Sequence, residues 1–176
     1  KDALAFFAVE ADVYFDLIFD DTNALSGLIN KPVFVNEVIT PCSSFPNSFI
    51  RINAWNGFLH RELIELAANE NQYSIVEEIM NALGWKYQIV ADEPGMIAPR
   101  IIAMIINEAY FGLEDKISTK EEIDVAMKLG TNYPYGPFEW SEKVGLKKIY
   151  HLLYVLSSQD ARYTPSMLLK ETALTQ

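Results

Sequence analysis

The spacing of hydrophobic residues divides this chain into two halves. In the first half, short runs rich in β-branched and aromatic residues predict strands rather than helices. We place these strands at residues 11–16, 33–39, 49–55 and 85–90, while residues 63–67 fit either a strand or a helix. Helical spacing in this half covers residues 73–83 and one turn near 25–29, and Gly84 supplies the left-handed position that ends the longer helix.

The connection between the second and third predicted strands bears on their relative direction. Only residues 40–48 separate them. A parallel crossover usually needs about a dozen residues or more, so we expect these two strands to be antiparallel.

Beyond residue 95 every periodic segment is helical. The first helix has an apolar face too wide for an isolated surface helix, and we expect it to be buried in this chain or against a second copy. The face is formed by Ile97, Ile101, Ile102, Ile105, Ile106, Ala109 and Tyr110. The sequence therefore predicts a small α/β domain at residues 1–93, then an all-α domain at residues 94–176.

Local signals mark the ends of the later helices. Ser118 and Glu121 form a predicted capping box, and Gly130 is expected to end the helix that follows. Pro137 and Gly145 are expected to bound a short helix, and Pro165 to start the last one.

Charge and composition exclude several classes of function. Fourteen basic against 24 acidic residues give a formal net charge of −10, which repels nucleic acid and anionic membranes. No apolar run reaches the length of about 18 residues that a membrane span needs. The single cysteine, Cys42, can form no disulfide within the chain and fits a reducing compartment, so we predict a cytoplasmic protein. No set of His, Cys and carboxylate residues has metal-ligand spacing.

Two motifs in the second half resemble a known family. Residues 92–100 read DEPGMIAPR, and residues 130–139 read GTNYPYGPFE. They are similar to the D-x-P-G-F-I-x-N-R and G-x-G-Y-P-x-G-P-F-E motifs of the 3-hydroxyacyl-CoA dehydrogenases. The resemblance implies the remnant of a Rossmann-like sheet, followed by a helical domain of the 6-phosphogluconate dehydrogenase C-terminal-like type.

The resemblance also implies an activity, the NAD-dependent oxidation of 3-hydroxyacyl-CoA to 3-oxoacyl-CoA in fatty-acid metabolism. Residues 49–65 resemble the family's F-x-G-x-H-F-F-N-P segment and the glutamate that follows it. In the family the histidine is the catalytic base and the glutamate orients it. Here Asn53 stands at the histidine position, Asn56 matches the motif's asparagine and Glu65 keeps the glutamate. An amide cannot accept the hydroxyl proton, so these three residues are predicted to be relics of a catalytic site.

Other positions of the family's reaction centre are altered as well. Pro99 replaces the asparagine that precedes Arg100 in the family motif. The serine of the family's N-T-S-S segment has two alternative matches, Ser43 and, without gaps, Ile39. His60 lies close to Asn53 in sequence but outside the catalytic set, and we expect it to be structural or exposed.

We expect this chain to hold no dinucleotide. A G-x-G-x-x-G turn brings backbone N–H groups against the pyrophosphate, and no two of the eight glycines here are separated by one residue. NAD is thus a cofactor that the resemblance implies, with no cofactor-binding residue to assign in this chain.

Two functions are compatible with these residues. The first is an NAD-dependent dehydrogenase of this family, impaired as the chain stands. The second is a non-catalytic relative that binds a ligand or dimerises. An acyl-CoA-like ligand would need basic residues near the motifs, for which Arg61, Arg100 and Lys128 are the candidates. As in the family, we expect a homodimer formed through the helical domain.

Overall fold

The structure, a computed structural model, describes residues 11–19, 31–45 and 49–175. The chain divides into two compact units, Lys1–Met96 and Ile97–Gln176. The helical turn predicted near residues 25–29 lies outside the described residues.

The first unit contains a five-stranded sheet in the consecutive order β1-β2-β3-β4-β5. The strands β1, β2 and β3 are parallel, β4 runs antiparallel to β3, and β5 is parallel to β4. Their bounds are Tyr14–Asp16, Val33–Val35, Phe49–Ile52, Ile64–Ala67 and Tyr87–Ile89. The ambiguous segment at residues 63–67 is therefore a strand, and the predicted class of a short α/β sheet followed by helices is confirmed.

The parallel pairing of β2 with β3 contradicts our prediction of antiparallel strands. β2 ends at Val35 instead of residue 39, because the Glu37 carboxylate accepts hydrogen bonds from the N–H groups of Ile39 (2.6 Å) and Thr40 (2.8 Å) and turns the chain. The connection therefore begins at residue 36, which makes it long enough for a parallel crossover. It includes a short 3-10 helix at Cys42–Ser44.

Alternate residues of each strand build the two faces of the sheet. One face packs on helix α1 (Tyr73–Leu83) in a core formed by Phe34, Ile50, Ile52, Ile64, Leu66, Val76 and Met80. The other face carries Tyr14, Val33, Val35 and Phe49. As predicted, α1 ends at Gly84, whose φ of 67° is left-handed.

All regular secondary structure described in the second unit is helical. Its helices are α2 (Ala98–Glu114), α3 (Lys120–Thr131), α4 (Pro137–Val144), α5 (Leu146–Ser157) and α6 (Met167–Thr175). Helix α2 packs against α4, α5 and α6, while α3 packs against α4. The buried apolar residues of this unit include Ala103, Ile106, Phe138, Ile149, Leu152, Leu153 and Leu169.

Both ends of α3 differ from the prediction. The cap is Thr119, whose side chain accepts from the N–H of Glu122 (3.3 Å) while the Glu122 carboxylate accepts from the N–H of Thr119 (3.3 Å). Ser118 donates its hydroxyl to the same carboxylate (2.5 Å) instead of capping the helix. At the other end Gly130 stays helical and Asn132 takes the left-handed position (φ 55°), which asparagine tolerates.

The short helix α4 is bounded by Pro137 and Gly145, as predicted. Helix α6 begins two residues after the predicted Pro165, because the Ser166 hydroxyl accepts a hydrogen bond from the N–H of Leu169 (3.1 Å). Serine and proline both favour helix starts, but only the serine can satisfy a free N–H group.

A carboxylate from α3 organises the start of α4 and hence the second sequence motif. Asp124 is buried and accepts hydrogen bonds from the N–H groups of Phe138 (2.8 Å) and Glu139 (3.2 Å). Glu139 in turn accepts from the N–H of Gly136 (2.9 Å) and from Lys128 (2.5 Å). This motif thus joins two helices through a hydrogen-bonded cap.

Candidate functional site

The predicted relic positions lie around the adjacent ends of β3 and β4. Asn53 directly follows β3 and is 3% exposed. Its Nδ2 donates to Glu65 Oε2 over 3.4 Å, and its backbone N–H donates to the Glu65 carbonyl over 3.0 Å. Asn56 lies on the surface in the following turn. The structure therefore brings Asn53 and Glu65 together and leaves Asn56 exposed.

Asn53 can form hydrogen bonds in this pair, but its amide cannot accept a proton from a substrate hydroxyl. The Asn53 Oδ1 accepts from the N–H of Trp55 (3.4 Å), so both ends of the amide are engaged. An amide nitrogen has no lone pair available for a proton at neutral pH. The position that would hold an imidazole base in the family motif therefore holds a buried donor and acceptor instead.

The remaining candidates of the reaction centre occupy ordinary structural positions. His60 and Ser43 are exposed, and Ser43 belongs to the 3-10 helix after β2. Ile39 is half-buried, and its N–H is bound by Glu37. Pro99 is buried in the first turn of α2, where a residue without an N–H group causes no loss.

Each of the three candidate cations for an acyl-CoA ligand has a contact within the chain. The Arg61 guanidinium lies 5.5 Å from the centre of the Phe58 ring, and that of Arg100 lies 6.0 Å from the Tyr163 ring. Lys128 forms its ion pair with Glu139. Any anion at these sites would have to compete with those contacts.

A buried arginine that sequence reasoning missed organises one face of the sheet. Arg51 on β3 is 0% exposed, and its Nη1 donates to Asp92 Oδ1 over 2.5 Å. Its other nitrogens donate to the carbonyls of Glu37 (3.1 Å), Val38 (2.7 Å) and Glu93 (3.3 Å). The available signal was a charged residue inside the otherwise apolar run at residues 49–52.

The same network sets the ionisation of its acidic members. Burial alone would raise the pKa of Asp92, but hydrogen bonds from the Cys42 N–H (2.9 and 3.0 Å) and from Arg51 lower it overall. Burial, followed by the Asp92 charge, raises the pKa of the Cys42 thiol to about 12. The thiol therefore stays protonated and donates to the Ala67 carbonyl (3.4 Å), which makes Cys42 a structural cysteine.

The described residues of the α/β unit do not fit a dinucleotide. Such ligands lie at the carboxyl ends of strands where the strand order reverses, with the pyrophosphate at a helix N-terminus. Among the described strands the order is consecutive and never reverses. The start of α1, the α-helix described in this unit, follows a turn in which the Gln72 side chain accepts a hydrogen bond from the N–H of Asn69 (2.8 Å).

The helical unit carries an apolar groove between α2 and α3. Its volume is about 380 Å³, and it is lined by Met104, Ile105, Gly112, Ile123, Met127 and Pro137, among others. The same helices and their connection expose further apolar side chains, namely Ile101 (52%), Ile117 (76%), Val125 (51%) and Leu129 (83%). The groove, whose lining is almost entirely apolar, is able to bind another apolar surface.

The described part of the chain contains neither a membrane-spanning helix nor a cluster of metal ligands. No helix there is long and apolar enough to cross a bilayer. No group of three or more His, Cys, Asp or Glu side chains in the same residues is placed to hold a metal ion.

Both units of this chain are similar to parts of known proteins. Residues 95–176 match the family model described as "3-hydroxyacyl-CoA dehydrogenase, C-terminal domain". A 3-hydroxybutyryl-CoA dehydrogenase of Bradyrhizobium diazoefficiens is 34% identical over 130 residues, covering 70% of this chain and 44% of that protein. A 3-hydroxyadipyl-CoA dehydrogenase of Escherichia coli is 45% identical over 87 residues, covering 48% of this chain and 18% of that protein. The match thus covers less than half the length of either relative.

A solved structure shares the fold of both units. The (S)-3-hydroxybutyryl-CoA dehydrogenase from Ralstonia eutropha matches with a TM-score of 0.80 and 25% identity. The match covers 94% of this chain and 66% of that one.

Proposed function

We propose, from the membership of this chain in the 3-hydroxyacyl-CoA dehydrogenase family through its helical unit, that it is a dehydrogenase-like protein with an impaired reaction centre. The reaction of the family is the NAD-dependent oxidation of 3-hydroxyacyl-CoA to 3-oxoacyl-CoA. One observation carries the impairment: Asn53, at the position of the family's basic histidine, donates its amide hydrogen to Glu65. Loss of a general base typically lowers a rate by about 10²–10⁴-fold.

The proposal also concerns the family's cofactor, NAD. NAD would supply the hydride chemistry of the family's reaction, but the described residues offer neither a reversed strand order nor a glycine-rich turn to hold it. This chain's own residues would instead bind and orient a ligand. Asn53 has a second amide hydrogen to donate and the Glu65 carboxylate can accept, so the pair offers a donor and an acceptor to a hydroxyl or carbonyl group such as an acyl-CoA-like ligand has.

A specific observation also supports the second candidate, a non-catalytic relative that dimerises. The groove between α2 and α3, together with the exposed Ile101 four residues before Ile105 on α2, forms an apolar surface on the helical unit. A two-fold partner would remove this surface from water, and symmetric pairing of like surfaces is the commonest form of association.

The experiment that tests impairment compares three chains. NADH-dependent reduction of acetoacetyl-CoA is measured for the unmodified chain, for Asn53→His and for the control Asn56→His, which adds the same side chain at an exposed position. We expect no turnover from any of them, because a new base does not supply a nucleotide site. Calorimetric titration with acetoacetyl-CoA is expected to show binding to all three.

Three results would each contradict a different part of the proposal. Turnover by the unmodified chain would show that the reaction centre is not impaired. Turnover by Asn53→His but not by Asn56→His would show that the base was the one missing group. Absence of acetoacetyl-CoA binding would exclude the ligand-binding role and favour the second candidate, a non-catalytic relative that dimerises.

A further inference from the structure

Side chains of this chain accept hydrogen bonds from three backbone N–H groups just beyond β1 and β2. After β1, the N–H of Ile18 donates to Asp16 Oδ1 (3.2 Å). After β2, the N–H groups of Ile39 and Thr40 both donate to Glu37 Oε1 (2.6 and 2.8 Å). These are the groups that face a phosphate when an α/β protein binds one at the carboxyl ends of its strands.

An asparagine ties the same strand ends together. The backbone N–H of Asn36 donates to the Asp16 carbonyl (2.9 Å), and its Nδ2 donates to the Leu17 carbonyl (3.0 Å). Its Oδ1 accepts from the N–H of Ala54 (3.0 Å), which follows β3. One residue therefore links the segments beyond β1, β2 and β3.

Glu37 is held in place from both sides. Its carboxylate binds the two N–H groups of its own loop, and its carbonyl accepts from Nε of the buried Arg51 (3.1 Å). Arg51 also binds the next carbonyl, that of Val38 (2.7 Å), so the loop cannot swing aside without breaking a buried charged network. Two adjacent N–H groups around an oxyanion form the arrangement that loops use to bind phosphate.

We propose that the Glu37 carboxylate is a built-in anion, which takes the place of a ligand phosphate at the end of β2 and closes the loop at residues 37–40 to phosphate groups. The proposal concerns the α/β unit and does not depend on the state of the Asn53–Glu65 pair. It accounts physically for the poor fit of a dinucleotide to the described residues. A negative side chain fills the loop, so a phosphate would meet repulsion as well as occupied N–H groups.

The test removes the carboxylate and supplies an anion in solution. Inorganic pyrophosphate binding is measured by calorimetry and by thermal shift for the unmodified chain, for Glu37→Ala and for the control Glu62→Ala, an exposed glutamate elsewhere in the same unit. We expect pyrophosphate to stabilise the unmodified chain and the control no more than sodium chloride of equal ionic strength does. For Glu37→Ala we expect a lowered melting temperature, partly restored by pyrophosphate. Its Kd should be at least about tenfold tighter, as one charge-assisted hydrogen bond provides.

Saturable binding of pyrophosphate or NADH to the unmodified chain, as tight as to Glu37→Ala, would overturn the proposal. So would a folded Glu37→Ala whose affinity is unchanged. If Glu37→Ala does not fold, Glu37→Gln decides the matter, because it keeps an acceptor oxygen and loses only the charge. Pyrophosphate should bind Glu37→Gln more tightly than the unmodified chain, and equal affinity would reject the idea. Acetoacetyl-CoA binding, measured alongside, separates this outcome from failure of the proposed function.

Discussion

Arg51 stands at the glycine position of the F-x-G-x-H segment that residues 49–53 resemble, and it places a full guanidinium where that segment has no side chain. Its hydrogen bonds to Asp92 and to three carbonyls are all buried or half-buried. A buried ion pair is costly to break from one side, because the remaining charge keeps its desolvation without its partner. Arg51 is therefore expected to be a large contributor to the stability of the α/β unit.

We predict that Arg51→Ala lowers the free energy of unfolding by about 3–5 kcal/mol. Arg61→Ala is the matched control, because Arg61 is exposed, and its loss should change stability by no more than about 0.5 kcal/mol. Urea unfolding followed by circular dichroism measures both. Equal and small losses for the two variants would show that the buried network is dispensable.

Cys42 gives a prediction about pH. The thiol's pKa is raised from 9.0 to about 12 in the folded chain, so the folded state holds this proton more tightly than the unfolded state. The stability that it contributes is complete below pH 9 and is lost as the pH rises toward 12. The difference in unfolding free energy between the unmodified chain and Cys42→Ala should therefore shrink over this interval. A difference that stays constant with pH would contradict the raised pKa.

At the scale of elements, the contact between α3 and α4 depends on Gly136. A methyl group added at Gly136 would overlap the carboxylate of Asp124, which is pinned by the N–H groups of Phe138 and Glu139. We predict that Gly136→Ala destabilises the chain by about 1–3 kcal/mol through this clash.

Gly130 provides the control, because it lies within α3 and an added methyl group there meets nothing within 4 Å. Gly130→Ala should stabilise the helix by up to about 1 kcal/mol, since alanine is the better helix former. Thermal unfolding of both variants measures these changes in stability. Stabilisation by Gly136→Ala as well would show that the Asp124 side chain can move away from the added methyl group.

At the scale of the whole molecule, we predict a homodimer formed through the apolar surface of α2 and α3. Light scattering at micromolar concentration should give about twice the monomer mass of 20.0 kDa. Ile101→Glu places a charge on that surface and should yield a monomer, whereas Met167→Glu, at a similarly exposed position on α6, should not. A monomer for the unmodified chain would reject dimerisation.

Much about this protein was determined by its sequence alone, because the deciding signals are local. The helical spacing of residues 73–83 with Gly84, and the bounds of α4 at Pro137 and Gly145, depend on residues within one turn of each other. The change from alternating to helical spacing indicated the fold class for the same reason. That residue 53 carries an amide, which cannot act as a base, also needs no structure, since it is a matter of residue type.

Only the tertiary structure decided which distant groups meet. The Glu37 turn shortened β2, lengthened the crossover and made β2 and β3 parallel, against the prediction. Arg51 and Asp92 are 41 residues apart, and no local pattern indicates that they form a buried ion pair. Long-range hydrogen bonds of this kind form because burial removes the competing water, and burial is a property of the packed sheet rather than of any segment.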